Sequence, residues 1–280
     1  MKRIALITGV SRNIGKSICR KFLAEGYQVI GTYNTSKEAA TQLKNEYSDL
    51  TLHQVDFCDN ESTTEFIEQM KAYRFDVIVN NAGTMNLTED GDIVHEFRNF
   101  NLSDFEAVMR CNFYAPLRIC IELQDYINKN GTIINIASTD GMLATYASLS
   151  YSASKAALIN LSKSLGNNFY PKNQVRVISI SPGWIMAEDD GGMGSDENSA
   201  GGKAGMLSPI GRNGYTKEIA EKVYEHVVSK SILDNGNNFV YDGGFTNYDV
   251  IYWEEANAVS LLRDIGEVKR EIDLKENNIS

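Results

Sequence analysis

The stretch KRIALITGVSRNIGKSICRKFLAEGYQVIGTY, residues 2–33, contains the pattern that decides the fold of this 280-residue chain. It begins with a short apolar run, turns around Gly9 and Gly15, and reaches a second apolar run at 27–33 after a segment with helical periodicity. Short apolar runs bounded by glycine predict buried strands, and the segment between them predicts a helix. Residues 2–33 therefore predict one strand–helix–strand unit with parallel strands.

The same alternation continues along most of the chain. Further buried strands are predicted at 51–55, 76–80, 132–137, 175–181 and 238–241. Helices are predicted at 14–25, 36–48, 61–73, 103–127, 150–170 and 216–230. Because alternating strands and helices form right-handed crossovers, the chain is predicted to be a single α/β domain of the Rossmann-type doubly wound class. Its seven-stranded parallel sheet is expected to carry helices on both faces.

The domain is predicted to span residues 1–245. Two segments of the chain depart from the alternation of strands and helices. Residues 187–214 contain eight glycines and little apolar periodicity, which is typical of a lid loop. Residues 246–280 form a C-terminal extension with one apolar helical stripe, made of Leu261, Ile265, Val268 and Ile272. Two heptads are too few for a coiled coil, so a helix packed on its own domain is favoured.

Composition excludes several classes of function. The 27 basic and 37 acidic residues give a net charge of −10, and such a surface repels nucleic acid and anionic lipid. No run approaches the roughly 20 apolar residues of a membrane helix, so no membrane partner is expected. The four cysteines form no C-x-x-C pair and the three histidines are scattered, which predicts no metal site and free thiols in a reducing cytoplasm.

The segment TGVSRNIG, residues 8–15, follows the first strand and opens the first helix. A helix N-terminus in this position of a doubly wound sheet binds the pyrophosphate of a nucleotide. Gly9 allows a tight turn, and Gly15 allows the helix to approach the strand closely. Glycine turns are common, however, and this motif alone leaves an ordinary strand–helix turn equally open.

A second group of polar residues lies about 140 positions further along the chain. Tyr151 and Lys155 are four residues apart and therefore share one helix face. A nearby ammonium lowers the pKa of a phenol, which makes Tyr151 a candidate acid–base. Ser138, at the end of a predicted strand, is a candidate to hold an oxygen atom near that phenol. Alone, this spacing also fits an amphipathic surface helix.

Taken together, these motifs resemble the short-chain dehydrogenase/reductase family, and in particular its 3-oxoacyl-carrier-protein reductases, over about residues 2–245. The matching motifs in chain order are 8–15, NNAG at 80–83, Asn112, Ser138, Tyr151 with Lys155, PG at 182–183 and DGG at 242–244. The resemblance implies that Tyr151 exchanges a proton with the substrate oxygen, which Ser138 holds. It also implies that Lys155 binds the nicotinamide ribose and that Asn112 supports a proton-relaying water.

The resemblance further implies a nicotinamide cofactor. Its expected contacts are Tyr151, Lys155, Gly9, Ser11, Arg12, Asn13, Ile14, Gly15, Tyr33, Asn34, Asp56, Phe57, Asn81, Ala82, Gly83, Pro182, Gly183 and Ile185. This chain departs from the family's pattern at two positions. Asn13 replaces a glycine but tolerates left-handed backbone, whereas Ala187 replaces a threonine that helps to hold the nicotinamide.

The end of the second strand bears on the choice of cofactor. NAD specificity usually rests on a carboxylate there, yet residues 31–37, GTYNTSK, contain none. Arg12 and Lys37 are cations available to a 2′-phosphate. The sequence therefore predicts that NADP(H) is preferred over NAD(H).

Three functions remain open from the sequence. The first is an NADP(H)-dependent reductase acting on a small-molecule carbonyl or alcohol, and the second is an NAD-dependent sugar or polyol dehydrogenase. The third is a non-catalytic nucleotide-sensing homologue, which the complete catalytic set disfavours and Ala187 alone supports. The resemblance also implies a homodimer or homotetramer paired through helices 103–127 and 150–170, the second of which carries the small residues Ala153, Ala156 and Ala157.

Overall fold

The structure is a computed structural model that describes residues 2–87, 94–144, 148–187, 205 and 208–247. Its strands are β1 (Ile4–Ile7), β2 (Gln28–Tyr33), β3 (Leu50–Gln54), β4 (Phe75–Asn80), β5 (Ile127–Ile136), β6 (Arg176–Pro182), β7 (Ile185–Met186), β8 (Gly214–Tyr215) and β9 (Asn238–Tyr241). Seven of them form one parallel sheet in the order β3-β2-β1-β4-β5-β6-β9, and β7 pairs with β8 separately. The predicted seven-stranded parallel sheet is confirmed.

Helices cover both faces of this sheet. They are α1 (Asn13–Ala24), α2 (Lys37–Glu46), α3 (Asn60–Met70), α4 (Leu102–Met109), α5 (Ala115–Glu122), α6 (Leu149–Asn173) and α7 (Thr216–Ser229). Alternate residues of β1 point to opposite faces, so Ile7 joins a core cluster with α1 and α7. Leu6 joins a second cluster with α3, α5 and α6. The doubly wound α/β architecture is therefore confirmed.

The strand order places a crevice at the carboxyl end of β1. The chain passes from β1 outward to β2 and β3 and then returns to β4 on the other side of β1. At such a switch point the two connecting loops diverge and leave a cleft for a ligand. The turn at 8–15 and the loop at 81–84 both open into this cleft.

The helix predicted at 103–127 differs in the structure. It comprises α4, a π-helical turn at Arg110–Tyr114 and α5, and it ends at Glu122. The following strand begins at Ile127, five residues before the predicted start, because Ile127 already pairs with Phe75 of β4. A left-handed Asn130 lets the chain rejoin the ladder at Thr132 after a register shift.

Several predictions concern residues outside the described part of the chain. The stripe of Leu261, Ile265, Val268 and Ile272 lies outside it, as does most of the predicted lid, 188–204. The proposed boundary between a domain at 1–245 and an extension at 246–280 therefore stays a prediction. Across the residues that the structure describes, none of the helices has the length and apolar character needed to cross a bilayer.

Candidate active site

The turn after β1 is built so that only glycine fits at two positions. Gly9 has a φ of +74°, which favours glycine, and a Cβ at Gly15 would lie 2.0 Å from the carbonyl oxygen of Gly9. The side-chain nitrogen of Asn81 donates to the carbonyl oxygens of Thr8 at 2.9 Å and Gly9 at 3.1 Å. These contacts tie the turn to the loop after β4 and fix the N-terminus of α1.

Asn13, the first residue of α1, occupies the position where the resemblance expects glycine. Its φ is 49°, in the left-handed region that asparagine tolerates. Its Oδ1 is buried and has no hydrogen-bond partner among the described residues. A buried oxygen without a partner at a nucleotide-type turn fits a ligand that donates a hydrogen bond, such as a ribose hydroxyl.

One cleft of about 520 Å³ runs from this turn to the helix that carries Tyr151. That volume lies in the usual range for small-molecule sites. The residues predicted to contact a cofactor all line it, namely Gly9, Ser11, Arg12, Asn13, Ile14, Gly15, Tyr33, Asn34, Asp56, Phe57, Asn81, Ala82, Gly83, Tyr151, Lys155, Pro182, Gly183 and Ile185. The cleft therefore fits a dinucleotide, while the role of each residue stays a prediction.

Ser138, Tyr151 and Lys155 converge at the far end of the cleft. The hydroxyl of Ser138 lies close enough to the Tyr151 phenol to act on its pKa. The Nζ atom of Lys155 lies 5.5 Å from the centre of the Tyr151 ring and donates to the carbonyl oxygen of Ile136 at 2.8 Å. The end of β5 and the first turns of α6 thus hold a phenol, a hydroxyl and an ammonium together.

The electrostatics of this group differ from the sequence prediction in one respect. Burial, together with the negative charge of Asp140, raises the pKa of Tyr151 to about 12 against the opposing effect of Ser138. The pKa of Tyr151 is therefore raised and not lowered as the sequence suggests, because burial outweighs the positive charge of Lys155 in this geometry. Burial also lowers the pKa of Lys155 to about 8. Near neutral pH the phenol keeps its proton and the amine is mostly charged.

Asn112 lies in the π-helical turn and is fully buried. Its Oδ1 accepts from the backbone nitrogen of Thr84 at 2.8 Å, and its Nδ2 donates to the carbonyl of Thr84 at 2.8 Å and to the hydroxyl of Ser154 at 3.0 Å. A Cβ on Gly83 would lie 3.3 Å from Asn112 and 3.5 Å from the Lys155 amine. Asn112 therefore bridges the loop after β4 to α6 beside Lys155, and its water-relay role stays a prediction.

Asp140 is a residue of the site that the sequence does not single out. It lines the cleft, and its carboxylate has no hydrogen bond or ion pair within the described residues. Its backbone nitrogen donates to Ser138 Oγ at 3.1 Å. A Cβ on the neighbouring Gly141 would lie 2.7 Å from the backbone of Ala156, so this turn is pressed against α6. Burial raises the pKa of Asp140.

Sequence analysis also missed Glu96, which helps to position the helix that carries Tyr151. This carboxylate is buried and accepts from the backbone nitrogen of Ser150 at 2.6 Å and from the Ser150 hydroxyl. An acidic group at a helix N-terminus is stabilised by the helix dipole. Glu96 thereby holds the loop before α4 against the turn of α6 that carries Tyr151. Among the described residues, no cluster of histidine, cysteine and carboxylate side chains could hold a metal ion.

Comparison with known proteins decides the family. The model of the short chain dehydrogenase family matches residues 3–198, about 70% of the chain. This chain belongs to the short-chain dehydrogenase family. The predicted resemblance is confirmed, and the protein is an oxidoreductase of the dehydrogenase/reductase type. Its Rossmann-type fold is the one on which this family builds its cofactor site.

Individual members of the short-chain dehydrogenase family are similar along most of their length. An NAD-dependent glycerol dehydrogenase of Listeria innocua is 28% identical over 248 residues, covering 87% of this chain and 94% of its own. A 3-oxoacyl-(acyl-carrier-protein) reductase of Salmonella typhimurium is 29% identical, covering 86% and 96%. The structure of BdcA in complex with NADPH has a TM-score of 0.77 and 25% identity, covering 90% and 98%. The relatives thus differ in both substrate and cofactor.

Proposed function

We propose that this protein transfers a hydride between NADP(H) and a small-molecule carbonyl or secondary alcohol, with Tyr151 as the general acid or base. The observation that carries the proposal is the single cleft that joins the glycine turn at 8–15 to the group of Ser138, Tyr151 and Lys155. When bound, the nicotinamide cofactor supplies or accepts the hydride. The residues at this end of the cleft then handle the oxygen atom and its proton.

In this proposal each side chain has a distinct role. The Ser138 and Tyr151 hydroxyls lie together, so one carbonyl oxygen can accept a hydrogen bond from both. Because Tyr151 is protonated near neutral pH, it can donate its proton as negative charge develops on that oxygen. The Lys155 ammonium adds a positive charge beside the phenol, which favours the phenolate that remains. Run in reverse, the same groups remove the proton of an alcohol.

A direct assay tests this proposal. Oxidation of NADPH and NADH is followed by absorbance with a panel of small ketones and aldehydes, and reduction of NADP⁺ and NAD⁺ with a panel of polyols and secondary alcohols. We expect turnover with carbonyl substrates and a lower KM for NADPH than for NADH. Cofactor binding without turnover on either panel would contradict the proposal and favour a nucleotide-sensing role.

The preference for NADP(H) rests on the charges around the adenosine end of the cleft. The positions after β2 that line it, Tyr33, Asn34, Thr35 and Ser36, carry no carboxylate. Arg12 is exposed at its rim and makes no side-chain hydrogen bond or ion pair with the part of the chain that is described. A 2′-phosphate therefore meets a cation rather than a repelling acid. Lys37 begins α2 but does not line the cleft.

We expect Arg12→Ala to weaken NADPH binding about 10- to 100-fold and NADH binding less than about 3-fold. A charge-assisted hydrogen bond contributes about 1.5–3 kcal/mol, and only NADPH carries the phosphate that makes it. Titration of both cofactors by fluorescence or calorimetry measures the two constants. Arg20→Ala, in the helix α1 that begins directly after Arg12, is the matched control because its guanidinium pairs with Glu46. Equal losses for both cofactors would refute the role of Arg12.

Asp140 narrows the class of substrate. Its carboxylate faces the same end of the cleft as Tyr151 and lacks a partner among the described residues. A neighbouring negative charge disfavours an anionic substrate and favours one with a hydroxyl or ammonium donor. The acidic runs at 89–92 and 188–190, which also bear on this question, lie outside the described residues.

We expect the parent enzyme to reduce a β-keto ester at least about 10-fold more efficiently than the matching β-keto acid, because the carboxylate of the acid is repelled. Asp140→Asn should narrow this ratio, and so should lowering the pH toward the raised pKa of Asp140, since a protonated carboxyl no longer repels an anion. The ratio of kcat/KM values for the two substrates measures the effect. Asp125→Asn, away from the cleft, should leave the ratio unchanged.

Oxidation of a polyol is the second candidate function. Its support is the similarity to an NAD-dependent glycerol dehydrogenase, together with an Asp140 carboxylate able to accept a hydrogen bond from a neighbouring hydroxyl. The polyol panel with NAD⁺ and NADP⁺ distinguishes it from carbonyl reduction. Higher efficiency with a polyol and NAD⁺ than with any ketone and NADPH would establish this alternative.

The proposal includes a homodimer or homotetramer in the cytoplasm. On the outer face of α6, Ala153 and Ala156 are exposed, and Tyr114 and Ile121 are exposed on the neighbouring helical segment. Small residues flanked by apolar ones allow close helix–helix packing between two subunits. We expect Ala156→Arg to lower the mass measured by light scattering to that of a monomer of 31.2 kDa. A parent that is already monomeric at micromolar concentration would contradict the assembly.

A further inference from the structure

Two cysteines lie side by side in the wall of the cleft, where the proposed reaction does not use them. Cys58 is half-buried in the loop after β3, and Cys111 is 8% exposed in the π-helical turn next to Asn112. Both line the cleft, Cys58 packs against the core cluster that contains Cys111, and each thiol is close enough to act on the pKa of the other. Residues 53 positions apart in sequence are thus brought to the same part of the cleft wall by the fold.

Backbone contacts hold Cys58 in this position. Its amide nitrogen donates to the Asp56 carboxylate at 2.9 Å, and its carbonyl oxygen accepts from Arg110 Nε at 2.8 Å. Arg110 is the residue before Cys111, so the turn that carries Cys111 is hydrogen-bonded to the loop that carries Cys58. This anchoring keeps the two segments beside each other, which a bond between the two sulfur atoms requires.

The two thiols differ chemically in the way that an attacking and a resolving cysteine differ. The interaction with Cys111 and the nearby Arg110 charge lower the pKa of Cys58, against the opposing effects of burial and the Asp56 charge. The same interaction, followed by burial, raises the pKa of Cys111. Thiolates are the reactive form of cysteine, so Cys58 is the one prepared to react with an electrophile from the cleft.

The other two cysteines provide the contrast. Cys19 and Cys120 are fully buried in the two core clusters on opposite faces of the sheet. Burial raises the pKa of both thiols, that of Cys120 to about 12. Neither lines the cleft.

We propose that Cys58 and Cys111 form an oxidisable dithiol site that a peroxide converts to a disulfide. The Cys58 thiolate attacks one peroxide oxygen, the O–O bond breaks, and the departing oxygen takes up a proton to leave as water. Cys111 then attacks the sulfur of the resulting sulfenic acid, and its proton leaves with the hydroxyl as a second water. Two electrons pass from the two sulfurs to the peroxide.

A disulfide between Cys58 and Cys111 would restrict the movement of two segments that line the cleft. It would tie the loop that carries Asp56 and Phe57 to the turn that carries Asn112. Cys111 also lies close enough for the charge of Lys155 to act on its thiol. The oxidised protein is therefore expected to differ from the reduced protein in cofactor binding.

The test uses the reduced full-length protein and does not depend on a known substrate. The protein is treated with hydrogen peroxide, denatured, weighed and alkylated, and its peptides are mapped before and after reduction with dithiothreitol. We expect the mass before alkylation to fall by about 2 Da, two of the four thiols to escape alkylation, and one cross-linked peptide pair to contain Cys58 and Cys111. Dithiothreitol should restore all four thiols.

Single cysteine variants test which two thiols form the disulfide. Cys19→Ser and Cys120→Ser are the matched controls and should form the same cross-link as the parent. Cys111→Ser should stop at a sulfenic acid on Cys58, about 16 Da heavier, and Cys58→Ser should keep its three thiols. Four thiols that stay reactive in the parent, or oxidation of Cys58 to a sulfinic acid without a cross-link, would overturn the proposal. The parent measurement alone is decisive, even if a variant fails to fold.

Discussion

Replacement of Tyr151 by phenylalanine is expected to lower kcat by about 100-fold or more while leaving the cofactor dissociation constant within about 3-fold. General acid–base catalysis contributes on this scale, and the substitution removes only the proton donor. Phenylalanine keeps the aromatic ring and removes only the hydroxyl that interacts with Ser138, so we expect the fold of α6 to be preserved. Initial rates of cofactor oxidation and a separate cofactor titration measure the two quantities.

Tyr170→Phe is the matched control for this experiment. Tyr170 lies on the same helix, more than five turns beyond Tyr151, and does not line the cleft. Its variant should keep the parent kcat. Should Tyr151→Phe turn over at a rate within a few-fold of the parent, the assignment of Tyr151 as acid or base would be wrong. A fall in the thermal unfolding midpoint would separate misfolding from a catalytic loss.

The fold was predictable because its signals are local and repeated. Each strand of the main sheet is a short apolar run closed by a polar or glycine turn, and a buried parallel strand needs no more than that. The turn at 8–15 was predictable for the same reason, since its glycines are required by backbone geometry at Gly9 and by close packing at Gly15. These requirements act on single residues and their immediate neighbours.

The errors arise where contacts over long distances override local patterns. The periodicity of 103–127 continues through the Arg110–Tyr114 turn, and nothing in it indicates a π-helical widening. The early start of β5 depends on its pairing with Phe75, which lies more than 50 residues away. The proximity of Cys58 and Cys111 likewise exists only once the loop after β3 meets that turn.

The pKa of Tyr151 shows the limit of spacing as a guide to chemistry. The i, i+4 spacing correctly places Lys155 on the same helix face, 5.5 Å from the phenol ring. Spacing says nothing about burial, and burial is the largest effect on both groups. Asp140, which raises the Tyr151 pKa further, reaches the phenol from the turn after β5 and has no sequence signature of its own.

Replacement of Lys155 by methionine tests the remaining part of the catalytic group. Methionine keeps the length and apolar stem of the side chain but removes its charge and its hydrogen bond to the carbonyl of Ile136. We expect kcat to fall about 100-fold or more, because the positive charge beside the Tyr151 phenol is lost. We also expect cofactor affinity to fall, in contrast to Tyr151→Phe, if the amine binds the nicotinamide ribose.

The pH profile gives a readout that a merely structural role of Lys155 would not move. In the parent, kcat/KM for reduction should decline as the pH rises through about 8, because the buried amine, whose pKa is lowered by burial, then loses its charge. The variant has no titrating amine, so this decline should disappear from its residual activity. Lys163→Met, an exposed lysine two turns along α6, should keep both the parent rate and the parent profile. Lys155→Met could instead leave both the cofactor affinity and the decline near pH 8 unchanged. That result would remove both roles from this lysine, and another group would then have to stabilise the Tyr151 phenolate.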